Sequence, residues 1–286
     1  MTDRGASPVL AALGAIALWG TLAALALQLA AIPPFLLAGI ALAIGSLVGG
    51  RALLAKPPPL KALALGVYGL FGFHFFLFLA LRNAPPVEAN LVNYLWPLLI
   101  VVLAPAIVPG IRLTVRHVLA ALIGFAGAAL LITAGAPASE GGGTIGYLFA
   151  LASAFIWATY SLMTRRFAQF PTAYVSWFCL ASGIAALACH FAFEPRYWPG
   201  ASQWPFLVVM GVGPMGLAFF LWDRALKHGD PREIGNFAYL TPLLSTLALS
   251  FVAGRVPSAS AFAAMALIVF AAWLGGARRG PSRARP

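Results

Sequence analysis

Residues 80–99 read ALRNAPPVEANLVNYLWPLL, and residues 225–244 read ALKHGDPREIGNFAYLTPLL. In both stretches an Ala-Leu pair is followed, at the same spacing, by a proline, a glutamate, a Tyr-Leu pair and a Pro-Leu-Leu run. A matched glutamate and tyrosine are harder to produce by chance in apolar sequence than matched leucines. We interpret the two stretches as copies of one element, which predicts an internal repeat.

The composition around these stretches is that of a membrane protein. Of the 286 residues, 62% are hydrophobic and only 9% are charged. A water-soluble chain of this length needs many more polar side chains to cover its surface, whereas lipid can face leucine directly. The net charge of +11 lies in single or paired residues between long apolar runs, so we do not expect a nucleic-acid partner.

Breaks at charge, proline and glycine clusters divide the chain into ten apolar segments, each about as long as a membrane-spanning helix. The fold class is therefore all-α, with ten transmembrane helices. The predicted spans are 9–31, 33–51, 61–82, 86–108, 113–134, 145–166, 172–193, 204–226, 231–252 and 258–277.

The basic residues test this count and give an orientation. With the N-terminus in the cytoplasm, fifteen of the 18 lysines and arginines lie on the cytoplasmic side, and only Arg82, Arg196 and Arg255 lie opposite. Missing one span would scramble this alternation. We therefore predict an inner-membrane protein of bacterial type with both termini in the cytoplasm.

The repeat divides the ten spans into two halves of five, residues 1–137 and 138–286. Because five is odd, the second copy enters the membrane from the opposite side. Inverted repeats are typical of secondary transporters, whose substrate site lies near the bilayer midplane between the halves. The sequence thus predicts a central cavity and transport by alternating access.

At these motifs the chain resembles the drug/metabolite transporter superfamily, and within it the EamA-type ten-helix exporters. Ala80-Leu81, Ala84-Pro85, Glu88-Ala89-Asn90 and Tyr94-Leu95-Trp96-Pro97 carry the resemblance, together with their second copy. One departure concerns the turns after the fourth and ninth helices, where family members often carry an acidic residue. Here these turns read Gly110-Ile111-Arg112 and Gly254-Arg255-Val256.

His74 and the Tyr94-x-Trp96-Pro97 cluster resemble the aromatic amino-acid exporter branch of that superfamily. The resemblance implies export of neutral or zwitterionic amino acids, aromatic and other hydrophobic ones above all. Another small neutral metabolite or a drug-like amine is the alternative. Nothing in the resemblance implies a cofactor, and we expect a functional monomer in the lipid bilayer.

Polar residues of the fourth helix share one face. Asn90, Asn93, Tyr94 and Pro97 are spaced i, i+3, i+4 and i+7, and polar faces in lipid turn toward a cavity or a neighbouring helix. Pro97 cannot bond the carbonyl of Asn93, so a kink is expected. The second copy supplies Asn236, Tyr239 and Pro242. We predict substrate-binding residues on both helices and kinks or gates at the two prolines, with simple packing kinks as the alternative.

Aromatic residues near the centres of spans are the other candidates. Trp19, Trp96, Trp157 and Tyr160 could cover an apolar side chain or a cation, although tryptophan and tyrosine also form interfacial belts. His74 is the ionisable residue well inside a span, with Phe78 as a helical neighbour. It could bind substrate or carry a proton, and a buried neutral histidine is the structural alternative.

The remaining charges limit the substrate and the mechanism. No lysine or arginine is predicted near the centre of a span, which disfavours a strongly anionic substrate. No carboxylate is predicted there either, so we expect weak or no proton coupling and no metal site. Asp223 and Lys227 are predicted to form a surface ion pair, with a cytoplasmic gate as the alternative. Without clustered acid, base or metal ligands no catalytic residue is expected, and without a filter sequence an ion channel is a remote alternative.

Overall fold

The computed structural model describes residues 7–133, 143–253 and 258–276. These residues form ten helices long and apolar enough to cross a membrane, which confirms the predicted spans to within three residues at each end. The helices are α1 Pro8–Gln28, α2 Pro34–Leu54, α3 Leu60–Asn83, α4 Pro86–Ile107, α5 Val115–Thr133, α6 Thr144–Arg166, α7 Thr172–Phe193, α8 Trp204–His228, α9 Pro231–Val252 and α10 Ala259–Gly276.

Several sequence predictions fall on other parts of the chain. The two termini, whose cytoplasmic placement was predicted, and the turn Gly254-Arg255-Val256 lie outside the described residues. The same is true of residues 134–142, where the two halves join.

Proline starts four of the helices. Pro8, Pro34, Pro86 and Pro231 each occupy the first helical position of α1, α2, α4 and α9. Proline fits there because the first amide of a helix has no intrahelical partner and because the ring fixes φ near the helical value. The prolines therefore set the starts of helices in both halves.

The two halves carry the same irregularities. A wide π-helical turn interrupts α3 at Tyr68–Gly72 and α8 at Gly213–Leu217. These turns are 145 residues apart, as Pro97 and Pro242 are. The helix also breaks just before each of these two prolines, between Asn93 and Trp96 in α4 and between Phe237 and Leu240 in α9. The backbone thus repeats the sequence match.

The halves pack through equivalent helices. Helix α2 packs on α7 and α5 on α10, while α3 packs on α6 and α8 on α1. Small residues allow close contact: a Cβ at Gly183 of α7 would lie 3.0 Å from the carbonyl oxygen of Gly39 in α2. Such contacts replace the hydrophobic driving force that lipid does not supply between helices.

Successive helices alternate in direction, so their connections collect at two ends of the bundle. One end holds the connections of residues 29–33, 84–85 and 194–203. We term it the cavity end, because the central cavity described below lies nearer to it. Residues 167–171 and 229–230 lie at the other, which we term the sealed end.

Candidate functional site

A central cavity of about 390 Å³ is lined by residues from both halves. Its volume is near the lower end of the range of about 300–1,000 Å³ that is usual for small-molecule sites. In α3 and α4 the lining lies in the part of the helix nearer the cavity end. The lining residues are Trp19, Leu22, Ala23, Ala26, Leu37, Ala38, Phe73, His74, Leu77, Phe78, Asn90, Asn93, Tyr94, Trp96, Trp157, Met210, Met215, Phe219, Thr241 and Ser245.

Four tryptophans from four helices meet at the inner end of the cavity. The ring centroid of Trp19 lies 5.7 Å from that of Trp157 and 6.5 Å from that of Trp96, both edge to face. Trp222 packs behind them, 5.1 Å from Trp19 and 5.7 Å from Trp96. Each of the four side chains is buried. The cluster closes the cavity toward the sealed end, because Trp222 lies in the part of α8 that leads there.

Hydrogen bonds fix two of these rings. The Nε1 of Trp19 donates to the carbonyl of Pro214, inside the wide turn of α8, at 3.1 Å. The Nε1 of Trp222 donates to the hydroxyl of Ser161 in α6 at 3.0 Å. A buried indole N–H needs such a partner, so both rings have one defined orientation.

His74 lines the cavity one turn after the wide turn of α3. Its Nδ1 lies 2.6 Å from the carbonyl oxygen of Leu70. Because a carbonyl only accepts, Nδ1 carries the hydrogen, and in the neutral ring Nε2 is left as an acceptor. Phe73 and Phe78 flank the imidazole, with ring centroids at 5.1 and 5.9 Å. His74 therefore gives the cavity a hydrogen-bond acceptor next to an aromatic wall.

The predicted polar face of α4 also lines the cavity, with Asn90, Asn93 and Tyr94. The Oδ1 of Asn93 accepts a hydrogen bond from the hydroxyl of Ser153 in α6 at 3.1 Å. That hydroxyl is also 3.1 Å from the carbonyl of Phe73. Asn93 is thereby tied to α3 and α6, which positions the break that precedes Pro97.

The second half contributes lining residues that the sequence reasoning missed, namely Met210, Met215, Phe219, Thr241 and Ser245. The repeat offset of 145 could have found Thr241, because it stands where Trp96 stands in the first half. The same offset also points to Phe219, the counterpart of His74. The residue types do not by themselves indicate a site, since methionine, threonine and serine are common in membrane helices.

Three predicted site residues do not line the cavity. Tyr160 packs behind Trp157 and against α3, where a Cβ on Gly69 would lie 2.2 Å from its ring. The ring of Tyr239 likewise packs into the space that the missing side chain of Gly124 leaves on α5. Each ring is buried in a helix contact that a glycine makes possible.

Asn236 is the third. It is fully buried against Gly275 of α10, and its Nδ2 donates to the carbonyl of His117 at 3.4 Å. Helix α9 begins at the sealed end, whereas α4 begins at the cavity end, so Asn236 and Tyr239 lie in the part of α9 that is farther from the cavity. The eight other predicted binding residues, Trp19, His74, Phe78, Asn90, Asn93, Tyr94, Trp96 and Trp157, all line the cavity.

A buried ion pair lies at the sealed end. The Nζ of Lys227 is 2.7 Å from Oδ2 of Asp223, and the two side chains are only 5% and 2% exposed. Lys227 also donates to the carbonyl of Phe170 at 2.6 Å, and Thr172 donates to Asp223 at 2.5 Å. The predicted surface pair was therefore wrong: the loop between α6 and α7 covers it.

The cavity end carries a different arrangement around Glu194, whose side chain is fully buried. It accepts hydrogen bonds from the backbone amides of Phe35 and Leu36 at 3.0 and 3.2 Å, at the start of α2. His190 lies 3.0 Å and Arg82 3.2 Å from its carboxylate. The carboxylate thus joins the ends of α2, α3 and α7.

No lysine, arginine, aspartate or glutamate is among the residues that line the cavity within the described parts of the chain. The lining is instead aromatic and aliphatic, with a few uncharged polar groups. Such a site suits a solute without net charge, because an isolated ion would lose its hydration without gaining a counter-charge.

Comparison with known proteins gives matches over almost the whole chain. The sequence profile of the EamA-like transporter family matches twice, over residues 6–133 and 144–275. A protein of Ancylobacter novellus described as aromatic amino acid exporter YddG is 46% identical over 266 residues, which cover 89% of this chain and 92% of that protein. An uncharacterized transporter of Bacillus subtilis, YyaM, is 26% identical over 67% of this chain and 65% of its own length. One solved crystal structure, 44% identical, superposes with a TM-score of 0.88 over 94% of this chain and 97% of that one.

Proposed function

The chain belongs to the EamA-like transporter family, and on that premise we propose that it exports neutral or zwitterionic amino acids, aromatic ones above all. Family membership confirms the transporter expected from the sequence motifs, in place of an enzyme. Ten membrane-spanning helices and bacterial relatives indicate an integral protein of the inner membrane. The substrate class is the step that we add.

The observation that carries the proposal is the aromatic, uncharged cavity. The rings of Trp19, Trp96 and Trp157 pack edge to face on one another at the inner end of the cavity, where a benzyl or indole side chain can pack against them. Aromatic faces also attract an ammonium group, and Nε2 of His74 can accept a hydrogen bond from it. The relative described as an aromatic amino acid exporter supports the same substrate class.

Transport proceeds by alternating access of the two halves, with the termini in the cytoplasm and one chain as the working unit. The positive-inside bias supports this orientation and places the sealed end on the cytoplasmic side. The cavity then faces outward, as it would just after release of an exported solute. Export, as opposed to uptake, follows from the relatives.

The decisive experiment is flux in liposomes that contain the purified protein. Labelled phenylalanine is compared with threonine, glutamate and a nucleotide-sugar. We expect saturable phenylalanine flux that other neutral amino acids inhibit, and no flux of the two anions. Trp157→Ala should lower phenylalanine flux about tenfold or more, through lost ring contacts.

Trp198→Ala is the matched control, because that tryptophan is 89% exposed and is not among the residues that line the cavity. Its flux should equal that of the wild type. Folded protein that moves none of these amino acids would overturn the substrate class and leave the transporter assignment intact. The alternative, a small neutral metabolite or a drug-like amine, would then be screened.

The same liposomes test coupling to protons. No carboxylate of the described residues lines the cavity, and Nδ1 of His74 is committed to a carbonyl. We therefore expect phenylalanine flux to be similar with and without a pH gradient. Flux that requires the gradient and disappears in His74→Ala would show that this expectation is wrong.

A further inference from the structure

Thr241 carries a hydroxyl group that the rest of the structure does not use. The residue lines the cavity and is 8% exposed. Within residues 7–133, 143–253 and 258–276, its Oγ1 is buried and has no hydrogen-bond partner. In helices a threonine hydroxyl normally bonds a carbonyl of the preceding turn, as Thr133 and Thr164 do here at 2.8 and 3.0 Å. Leaving a buried hydroxyl unpaired costs stability, and functional sites are where such a cost is retained.

The neighbouring turn adds a second hydroxyl. Ser245 follows Thr241 by four residues, so the two lie on one face of α9, and both line the cavity. Two donors on the other walls of the cavity are already committed, since Nε1 of Trp19 bonds the carbonyl of Pro214 and Nδ1 of His74 bonds that of Leu70. The α9 hydroxyls form a polar wall in the second half of the molecule.

The repeat shows why this wall is specific to one side. Thr241 occupies the place that Trp96 occupies in the first half, 145 residues earlier. The first half therefore presents an indole where the second half presents a hydroxyl. A solute with one apolar end and one polar end has a defined direction in such a cavity.

We propose that Thr241 and Ser245 form the subsite for the carboxylate of the zwitterionic substrate, with the substrate's side chain packed against the tryptophans that line the cavity. This inference rests on the proposed function. A carboxylate only accepts hydrogen bonds, and a hydroxyl can donate one to it without a fixed positive charge nearby. The substrate's own ammonium supplies the counter-charge and has aromatic faces available to it.

The test compares Thr241→Val, which replaces the hydroxyl by a methyl group of similar size, with Thr241→Ser, which keeps it. Phenylalanine flux in liposomes is measured as a function of concentration. The half-saturating concentration should rise about tenfold or more in Thr241→Val and stay within about threefold of wild type in Thr241→Ser. Thr133→Val makes the same chemical change at an exposed residue near the end of α5 and should have no effect.

Two further readouts separate carboxylate binding from a structural role. Phenylalaninamide has no carboxylate, so its inhibition of flux should be equally weak in wild type and Thr241→Val. The thermal unfolding midpoint of Thr241→Val should be unchanged or raised, because the substitution removes an unpaired buried hydroxyl. A lower midpoint together with equal loss of binding for both compounds would overturn the subsite.

The remaining outcomes fall on different claims. An unchanged half-saturating concentration in Thr241→Val would overturn the inference alone. If the same concentration also rose tenfold in Asn90→Leu, the carboxylate would be placed on α4. Wild-type protein that is folded and transports no amino acid would overturn the proposed function, and the inference with it.

Discussion

The two ends of the bundle are built by the same repeat and differ in how they are closed. Lys227 of α8 and Arg82 of α3 are counterparts, 145 residues apart. The Lys227 side chain is 5% exposed and is held by Asp223, whereas the Arg82 side chain is 43% exposed. Arg82 contacts Glu194, a carboxylate that is also bound by the backbone of α2.

The difference between the two ends lies in their side chains and not in the backbone irregularities of the halves. Both halves contain the wide turn and the proline break at equivalent positions. At the sealed end Lys227 is buried against Asp223 of the same helix and a loop carbonyl, whereas its counterpart Arg82 at the cavity end is 43% exposed. In a rocking mechanism the two ends exchange these roles, so equivalent substitutions at the two ends should have unequal effects here.

The largest expected effect tests this inequality directly. Lys227→Met leaves Asp223 buried without its counter-charge, which typically costs about 3–5 kcal/mol. Arg82→Met removes a half-exposed contact from a carboxylate that keeps its two amide donors and His190, and should cost less than about 1 kcal/mol. Thermal or denaturant unfolding of the two purified variants in the same detergent measures both.

Asp223→Asn combined with Lys227→Met is the control, because it removes both charges at once. It should recover most of the stability lost in Lys227→Met. Equal losses at Lys227 and Arg82 would show that the two ends are not in different states, and would remove the basis of the comparison.

The difference in burial between the two ends also shows which features could be predicted from the sequence and which could not. The ten spans and their limits followed from apolar length and from the basic residues, because these depend on local composition. The burial of Asp223 and Lys227 did not follow. Their i, i+4 spacing is the same on an exposed helix and on one covered by a loop, so only the packing of residues 167–171 decides it.

A smaller effect is expected at the tryptophan that separates the cavity from the sealed end. Trp222→Phe keeps an aromatic ring and loses the hydrogen bond to Ser161, whose hydroxyl stays buried. We expect a loss of about 1–2 kcal/mol of unfolding free energy. Trp198→Phe, at an exposed position near the cavity end, should lose nothing measurable. If both variants unfolded like the wild type, Trp222 would not contribute to closing this end.

The residues of the candidate site also differ in how far the sequence could predict them, because some depend on local sequence and others on packing between distant helices. His74 and the α4 face were found because a polar residue in an apolar span stands out by itself. Asn236 and Tyr239 were placed in the site by analogy with α4, and the structure puts them in helix contacts with α5 and α10. The repeat predicts where a residue lies along its helix, but α9 starts at the end opposite to the start of α4, so residues at equivalent positions lie at different distances from the cavity.

The smallest expected effect concerns the helix starts at the two ends. Asp230 caps α9 at the sealed end and accepts hydrogen bonds from the backbone and side chain of Arg232, whereas its counterpart Pro85 has no side-chain cap for α4. Burial alone would raise the pKa of Asp230, but the hydrogen bonds from Arg232 outweigh it and hold the pKa below its ordinary value. The carboxylate therefore contributes stability above its ordinary pKa of about 3.9, and this contribution is lost as the pH falls through the lower folded-state pKa.

Asp230→Ala should cost about 1 kcal/mol at pH 7. The difference between wild type and variant should shrink below about pH 5 and vanish in stronger acid. Unfolding midpoints of both proteins between pH 7 and pH 3 measure this difference, and a gap that stayed constant over that range would show that the charged cap does not stabilise this end.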